Sequence, residues 1–342
     1  MPYQHPSTHV YTTTSPFHLE LGGVLPHLEI AYTAYGNRNA GKTIWICHAL
    51  TANANPMEWW PSLVGEGKHF DPKDSNIICA NILGSCYGTS GPLSIDPSRK
   101  EPYYSSFPNI TIRDMVRAHQ LLAQHLQVPH IDLLIGGSMG GYQALEWAIM
   151  EPAYIKQMVL LSTGARESAW GQGIHSTQRM AIEQDTTWKD LSPAAGRMGI
   201  QTARAIGMLT YRNYEHFAST QTEPDNEKTT DFKIASYLKH QGEKLANRFN
   251  AYAYWLLSHA MDSHNVGRGR KNCEVALSTV RAQTLIIGIS SDFLCPLNEQ
   301  AFLSHHIPGA SFKVIDSPLG HDGFLIEGEK IAQAIGECFI HQ

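Results

Sequence analysis

Short β-branched and apolar runs alternate with longer stretches of helical periodicity, and this rhythm limits what the 342-residue chain can become more than any other feature. The runs at 43–47, 76–80, 131–135, 158–161, 284–289 and 311–315 each have the length of one strand. Helical spacing occurs over 112–126, where Ile112, Met115, Val116, Leu122 and Leu126 share a face, and again over 138–150, ending before Glu151-Pro152. Strands separated by helices predict an α/β chain on a mostly parallel sheet. The rhythm breaks between 165 and 272. Helical patterns at 177–183, 200–209 and 244–261 occur there without a core strand, the polar stretch 220–230 fits an exposed loop, and Gly267-Arg268-Gly269-Arg270 fits the turn back. The expected organisation is a core of residues 1–164 and 273–342 with a helical lid, residues 165–272, inserted over the carboxyl ends of the strands, where open α/β sheets place ligands.

Composition narrows the function classes. Lys and Arg number 26 against 31 Asp and Glu, a net charge of −5, which gives no electrostatic claim on nucleic acid. With 42% apolar and 17% charged residues the chain can bury a large core and has no composition suited to a long solvated tail. No apolar run approaches the roughly 18 residues of a membrane span. The start, Met1-Pro2-Tyr3-Gln4-His5, lacks the basic and apolar regions of a secretion signal. Six cysteines without a C-x-x-C pair read as reduced thiols, so a cytoplasmic protein with no membrane partner is expected. The histidines include no H-E-x-x-H, and His305-His306 are adjacent rather than one turn apart, so no metal is expected.

The strongest chemical signal is Gly136-Gly137-Ser138-Met139-Gly140-Gly141, directly after one predicted strand and before a predicted helix. It satisfies G-x-S-x-G in the setting where a sharp strand-to-helix turn strains the nucleophile's backbone and small neighbours relieve the crowding. A dinucleotide-binding G-x-G-x-x-G is absent, and Tyr142 stands where a P-loop would need Lys. A serine hydroxyl at its ordinary pKa is a weak nucleophile and needs a base oriented by an acid. In the α/β-hydrolase fold the chain order is Ser, acid, His. Asp292 follows the strand at 284–289, and His321 lies in a glycine-flanked loop after the strand at 311–315. Asp316 is the rival acid, but it is too near His321 in sequence to approach from a separate strand. His305 and His306 are rival bases at an expected helix end. Acyl transfer also needs donors for an oxyanion: the Met139 N–H at the helix start, and the Leu50 N–H in the loop after 43–47. The side chain of His48 is expected to carry no catalytic weight.

Five segments together resemble the homoserine O-acyltransferases of the α/β-hydrolase superfamily: His48-Ala49-Leu50-Thr51, residues 79–88 running on to Gly91-Pro92, residues 111–116, the run GGSMGGYQALEW at 136–147, and Gly320-His321-Asp322. Weaker likeness runs through Leu209-Thr210-Tyr211-Arg212, 237–242 and 264–270, so the resemblance spans nearly the whole chain. It implies that Ser138, with His321 and Asp292, takes an acetyl group from acetyl-CoA and passes it to the side-chain hydroxyl of L-homoserine, on the route to methionine. It implies no cofactor beyond that co-substrate, and a homodimer. It also implies that Arg204 holds the amino-acid carboxylate and Asp322 the ammonium, with Arg212 the competing arginine. Relatives that use succinyl-CoA carry an arginine where this chain has Leu294, which favours acetyl because a succinyl carboxylate would lack its ion partner. Ala52-Asn53-Ala54-Asn55, Asn250, Asn265 and Cys295 depart from the family pattern. A succinyl donor, a serine acceptor, and ester hydrolysis by the same triad are the alternatives.

Overall fold

A computed structural model describes residues 8–36 and 41–339. The start at Met1 to His5, which carries the expectation about a secretion signal, lies outside the described residues. The main sheet has eight strands among the described residues: β1 (His9–Thr12), β2 (Glu29–Tyr35), β3 (Thr43–Cys47), β4 (Asn76–Ala80), β5 (Ile131–Gly137), β6 (Ile155–Leu161), β7 (Gln283–Ile289) and β8 (Ser311–Ile315). Their spatial order is β1-β2-β4-β3-β5-β6-β7-β8. β2 runs antiparallel to β1 and β4, and every other pairing is parallel. The six predicted strands are all present. β1 and β2 were not predicted, and β5 runs on to Gly137, up to the serine itself.

Register brings the strand ends level. Cys47 pairs with Gly136, Gly137 with Leu161, and Leu161 with Ile287, so the loops after β3, β5, β6 and β7 leave from one edge. Alternate residues of each central strand point to opposite faces. On one face Trp45, Leu134, Met158 and Ile286 pack with Met115, Val116 and Leu122 of α1 (Ile112–His125) and Leu145 of α2 (Met139–Met150). On the other, Ile46, Ile135, Val159 and Ile287 pack with Trp60 and with Ile331 and Ile335 near the carboxyl terminus. A capping box starts α1: Thr111 accepts from the Asp114 N–H while the Asp114 carboxylate accepts from the Thr111 N–H.

Between residues 165 and 272 lie five helices, α3 (Ala169–Glu183), α4 (Arg197–Tyr211), α5 (Tyr214–Gln221), α6 (Lys233–Ala246) and α7 (Ala251–Asp262). The sequence predicted one helix over 244–261. Instead the chain breaks at residues 247–250, where Asn250 accepts a hydrogen bond from the Ala253 N–H at 2.8 Å and caps a new helix. α3 begins well before the expected 177, capped by Ser168, because Gly171 and Gly173 blur its apolar period. Ile182, Ile200, Ala203, Leu245 and Leu257 join the same apolar core as the α1–α2 face of the sheet. The two stems of this segment are zipped together: the Val266 N–H donates to Ala165 O and the Glu167 N–H to His264 O, both at 2.9 Å. The turn at 267–270 is tied to the core by Glu146, which accepts from Arg113 at 3.1 Å and Arg270 at 2.7 Å.

Candidate active site

Ser138 sits at the corner between β5 and α2 with φ 55° and ψ −126°, a conformation that costs an L residue on the order of 1 kcal/mol or more. The surroundings impose it. The Ser138 N–H donates to Leu161 O at 3.0 Å, and its carbonyl accepts from Thr163 Oγ1 at 2.9 Å. A Cβ on Gly136 would lie 2.2 Å from Gly140 O, and one on Gly140 would lie 2.1 Å from Cys47 O. Only glycine fits at either place, as the motif requires.

His321 lies in the turn Gly320–Asp322 after β8, and its Nδ1 donates to Asp292 Oδ2 at 2.7 Å. The side chains are 4% and 0% exposed. The other oxygen of Asp292 accepts from the backbone N–H groups of Leu294 and Cys295, both at 2.9 Å. Asp292 is thus fixed, and it fixes the imidazole in the tautomer whose Nε2 lone pair is free. Nε2 is buried and bonds to no described residue. Burial alone would lower the pKa of His321; the charges of Asp292, Asp322 and Glu167 outweigh it and raise the value above its ordinary 6.5. Phe324 links this histidine to the Ser138 turn, with its ring 5.3 Å from the imidazole and a Cβ on Gly137 falling 2.5 Å from its edge. The rival groups lie elsewhere. Asp316 is exposed and accepts from Ser290 Oγ at 2.8 Å, and His305-His306 end α8 (Leu297–His306), with His306 against Phe302.

Met139 opens α2, so its N–H is one of the donors a helix start leaves unpaired. The close approach of Gly140 to Cys47 sets that helix start on the loop carrying Leu50. Gln143 Nε2 donates to both His48 O and Met139 O at 3.1 Å, tying the loop after β3 to the start of α2. His48 is the loop's internal brace: Nδ1 donates to Ala49 O at 2.8 Å and Nε2 accepts from the Ile82 N–H at 3.2 Å. Burial pushes its pKa down to about 4, so the ring stays neutral.

Asp322 directly follows the histidine, whereas Arg204 reaches it only by way of Tyr211. The Arg204 guanidinium lies over the Tyr211 ring at 5.4 Å, and that ring is 6.1 Å from the imidazole of His321. Asp322 already has a cation: Arg212 Nε is 2.9 Å from its Oδ2. The sequence raised Arg212 only as a substitute for Arg204, whereas the structure uses it on Asp322. Glu167 was missed altogether. It follows β6 at the stem of the helical segment, accepts from Tyr142 Oη and the Ser168 N–H at 3.0 Å each, and burial raises its pKa. Its only sequence signal was a carboxylate at the end of a central strand. Among the described residues no three His, Cys, Asp or Glu side chains gather as metal ligands would, and no helix is long and apolar enough to cross a membrane.

Residues 42–327 match the alpha/beta hydrolase fold family. The fold resembles a homoserine O-acetyltransferase from Bacillus anthracis with a TM-score of 0.90 at 22% identity, covering 99% of each chain. It also resembles esterase E22 with a TM-score of 0.86 at 22% identity, over 97% of this chain and 99% of that one. Fold alone therefore does not separate transferase from esterase. Sequence does. A homoserine O-acetyltransferase from Cyclobacterium marinum is 47% identical over 324 residues, covering 94% of this chain and 92% of that one. The chain belongs to the homoserine O-acetyltransferase family. A second family member, from Nostoc punctiforme, is 42% identical over 332 residues, covering 94% and 93% of the two chains. Homoserine O-acetyltransferase likeness at such coverage includes the helical segment as well as the sheet.

Proposed function

We propose that the protein moves an acetyl group from acetyl-CoA to the side-chain hydroxyl of L-homoserine, an acyltransferase step of methionine biosynthesis. The observation that carries this reading is the buried Asp292–His321 pair beside the strained Ser138 turn, in a chain whose relatives by sequence are homoserine O-acetyltransferases. His321 Nε2 takes the proton of Ser138 Oγ as the oxygen attacks the thioester carbonyl, and Asp292 stabilises the imidazolium. The Met139 and Leu50 N–H groups meet the oxyanion. The C–S bond breaks, CoA leaves as a thiol with the proton from His321, and Ser138 holds the acetyl ester. The homoserine hydroxyl then gives its proton to His321, attacks the ester carbonyl, and Ser138 regains its proton as the product departs. No cofactor is needed beyond the co-substrate.

Arg204, which has no carboxylate partner among the described residues, suits the homoserine carboxylate, and Asp322 suits its ammonium. Residues 165–272 act as a lid that excludes water and makes the second attack nearly unimolecular. Leu294, whose N–H braces Asp292, offers no charge to a succinyl carboxylate, which favours acetyl. A homodimer fits the apolar side chains exposed on α3 to α5, among them Met180, Leu209 and Tyr214, and a cytoplasmic setting fits six unpaired cysteines. The test is to incubate purified protein with acetyl-CoA or succinyl-CoA, each with homoserine or serine, and to identify the products by mass. O-acetylhomoserine as the main product is expected. Thiol release at the same rate without any amino acid would assign a hydrolase instead.

A further inference from the structure

The loop carrying His321 is wedged between two elements, and one of them belongs to the helical segment. On the sheet side a Cβ on Gly323 would fall 2.8 Å from the Ile289 side chain at the end of β7. On the other side Gly320, at φ +64°, lies so close to the end of α4 that a Cβ would be 2.8 Å from Tyr211 O and 2.9 Å from the carbonyl carbon of Arg212. The next residue, Arg212, reaches back to place its Nε 2.9 Å from Asp322 Oδ2, an ion contact whose N–H is not aligned as a hydrogen bond, with both side chains only 16% exposed. A mostly buried guanidinium–carboxylate contact is costly to desolvate and costlier to break, so it fixes relative position. It also sets charge next to the imidazole, because Asp322 directly follows it.

We infer that Arg212 is a positioning residue for His321: through Asp322 it latches the end of α4 to the histidine loop and partly offsets the carboxylate charge next to the imidazole. The inference rests on His321 being the base of the proposed reaction. Every charged or titratable group around that ring bears on it. Asp292 comes from the loop after β7, Asp322 from the histidine loop, Glu167 from the stem after β6, and Tyr211 and Arg212 from the end of α4, with Arg204 of the same helix over the Tyr211 ring. His216 on α5 faces both Arg212 and Asp322, and burial keeps its own pKa low. Among these groups Arg212 is the cation in contact with a carboxylate that adjoins His321. Removing it leaves three carboxylates acting on the ring with one fewer counter-charge.

The experiment titrates His321 directly, by NMR of histidine-labelled protein, in the unaltered chain and in Arg212→Gln, Arg212→Lys, Asp322→Asn and the Gln/Asn double variant, with steady-state rates at each pH. R212Q is expected to raise the His321 midpoint by about 0.5–1 pH unit and D322N to lower it. The double variant should return near the starting value, a non-additive pattern that marks direct coupling. Lysine at 212 should keep most of the unaltered midpoint. At saturating homoserine R212Q should lower kcat about tenfold and release CoA more slowly in the first half-reaction, which a homoserine-binding role would leave untouched. An R212Q chain that keeps its midpoint, or that loses only homoserine affinity, overturns the inference. Should R212Q fold poorly, the lysine and asparagine variants still decide it by the sign of their shifts. Failure of the underlying reading is seen separately, as undiminished activity in His321→Gln.

Discussion

Around Ser138 the backbone is held by contacts too close for any side chain beyond hydrogen, whereas the helical segment is held by apolar packing on the core and a backbone bridge at its stem, and it leaves large apolar groups in solvent. Gly136 and Gly140 approach carbonyl oxygens too closely for any side chain, and the Ser138 backbone is held further by Leu161 O and the Thr163 hydroxyl. Where the helices of that segment meet the core, individual side chains pair: Arg212 with Asp322, and Glu167 at the stem with Tyr142 of α2. Met198 and Tyr214 on those helices are 66% and 81% exposed, while the central strands β5, β6 and β7 carry wholly buried apolar residues. On the proposed reading, the acyl-carrying half of the reaction depends on the main-chain geometry around Ser138, and the choice of acceptor on side chains that can be exchanged singly.

The sharpest way to break this contrast is to remove the nucleophile. Ser138→Ala should cut kcat by about 10⁴-fold or more without altering the far-UV spectrum or the melting temperature by more than a few degrees. Residual activity within tenfold of the unaltered enzyme would mean that the core does not supply the acyl carrier. A smaller effect is expected on the other side. Trimming residues 222–231, the connection between α5 and α6, should raise hydrolysis of the acetyl-enzyme about threefold to tenfold relative to transfer. A partition ratio that does not move would separate water exclusion from the helices.

The pH profile sharpens the comparison further, because it reads both regions at once. His321 must be neutral to act as base, and its pKa lies above 6.5, so kcat/KM should rise with pH through a midpoint above that value. The stability sign is the reverse. A raised folded-state pKa means that protonation of His321 favours the fold below 6.5, and this contribution fades as pH climbs through the raised value. Melting temperatures of the unaltered chain and of H321Q should therefore differ most on the acid side. The smallest expected effect lies far from the site: Thr111→Ala removes one half of the α1 capping box and should cost about 1 kcal/mol in urea unfolding, with kcat unchanged.

How much of this was legible beforehand follows from what each feature depends on. The parallel strands could be placed because buried strands read as continuous apolar runs. β1 has four mostly exposed residues, and β2, EIAYTAY, has strand-favouring Ile, Tyr and Thr but lacks the continuous apolar run that marked the other strands. Ser138, Asp292 and His321 could be singled out as candidates because chain order and strand ends constrain them, and the structure pairs the last two. The pairing of Arg212 with Asp322 could not, since it depends on where α4 stops relative to the loop after β8. Nor could the break between α6 and α7, where Asn250 caps a helix inside an apolar period that reads as unbroken.

The most direct test of the account is rapid quenching of the protein mixed with acetyl-CoA alone, followed by peptide mapping. The prediction is a single acetyl group on Ser138, formed at the rate of CoA release and discharged by added homoserine to O-acetylhomoserine faster than by water. Product formed without any acetylated Ser138, or only when both substrates are bound together, would contradict it.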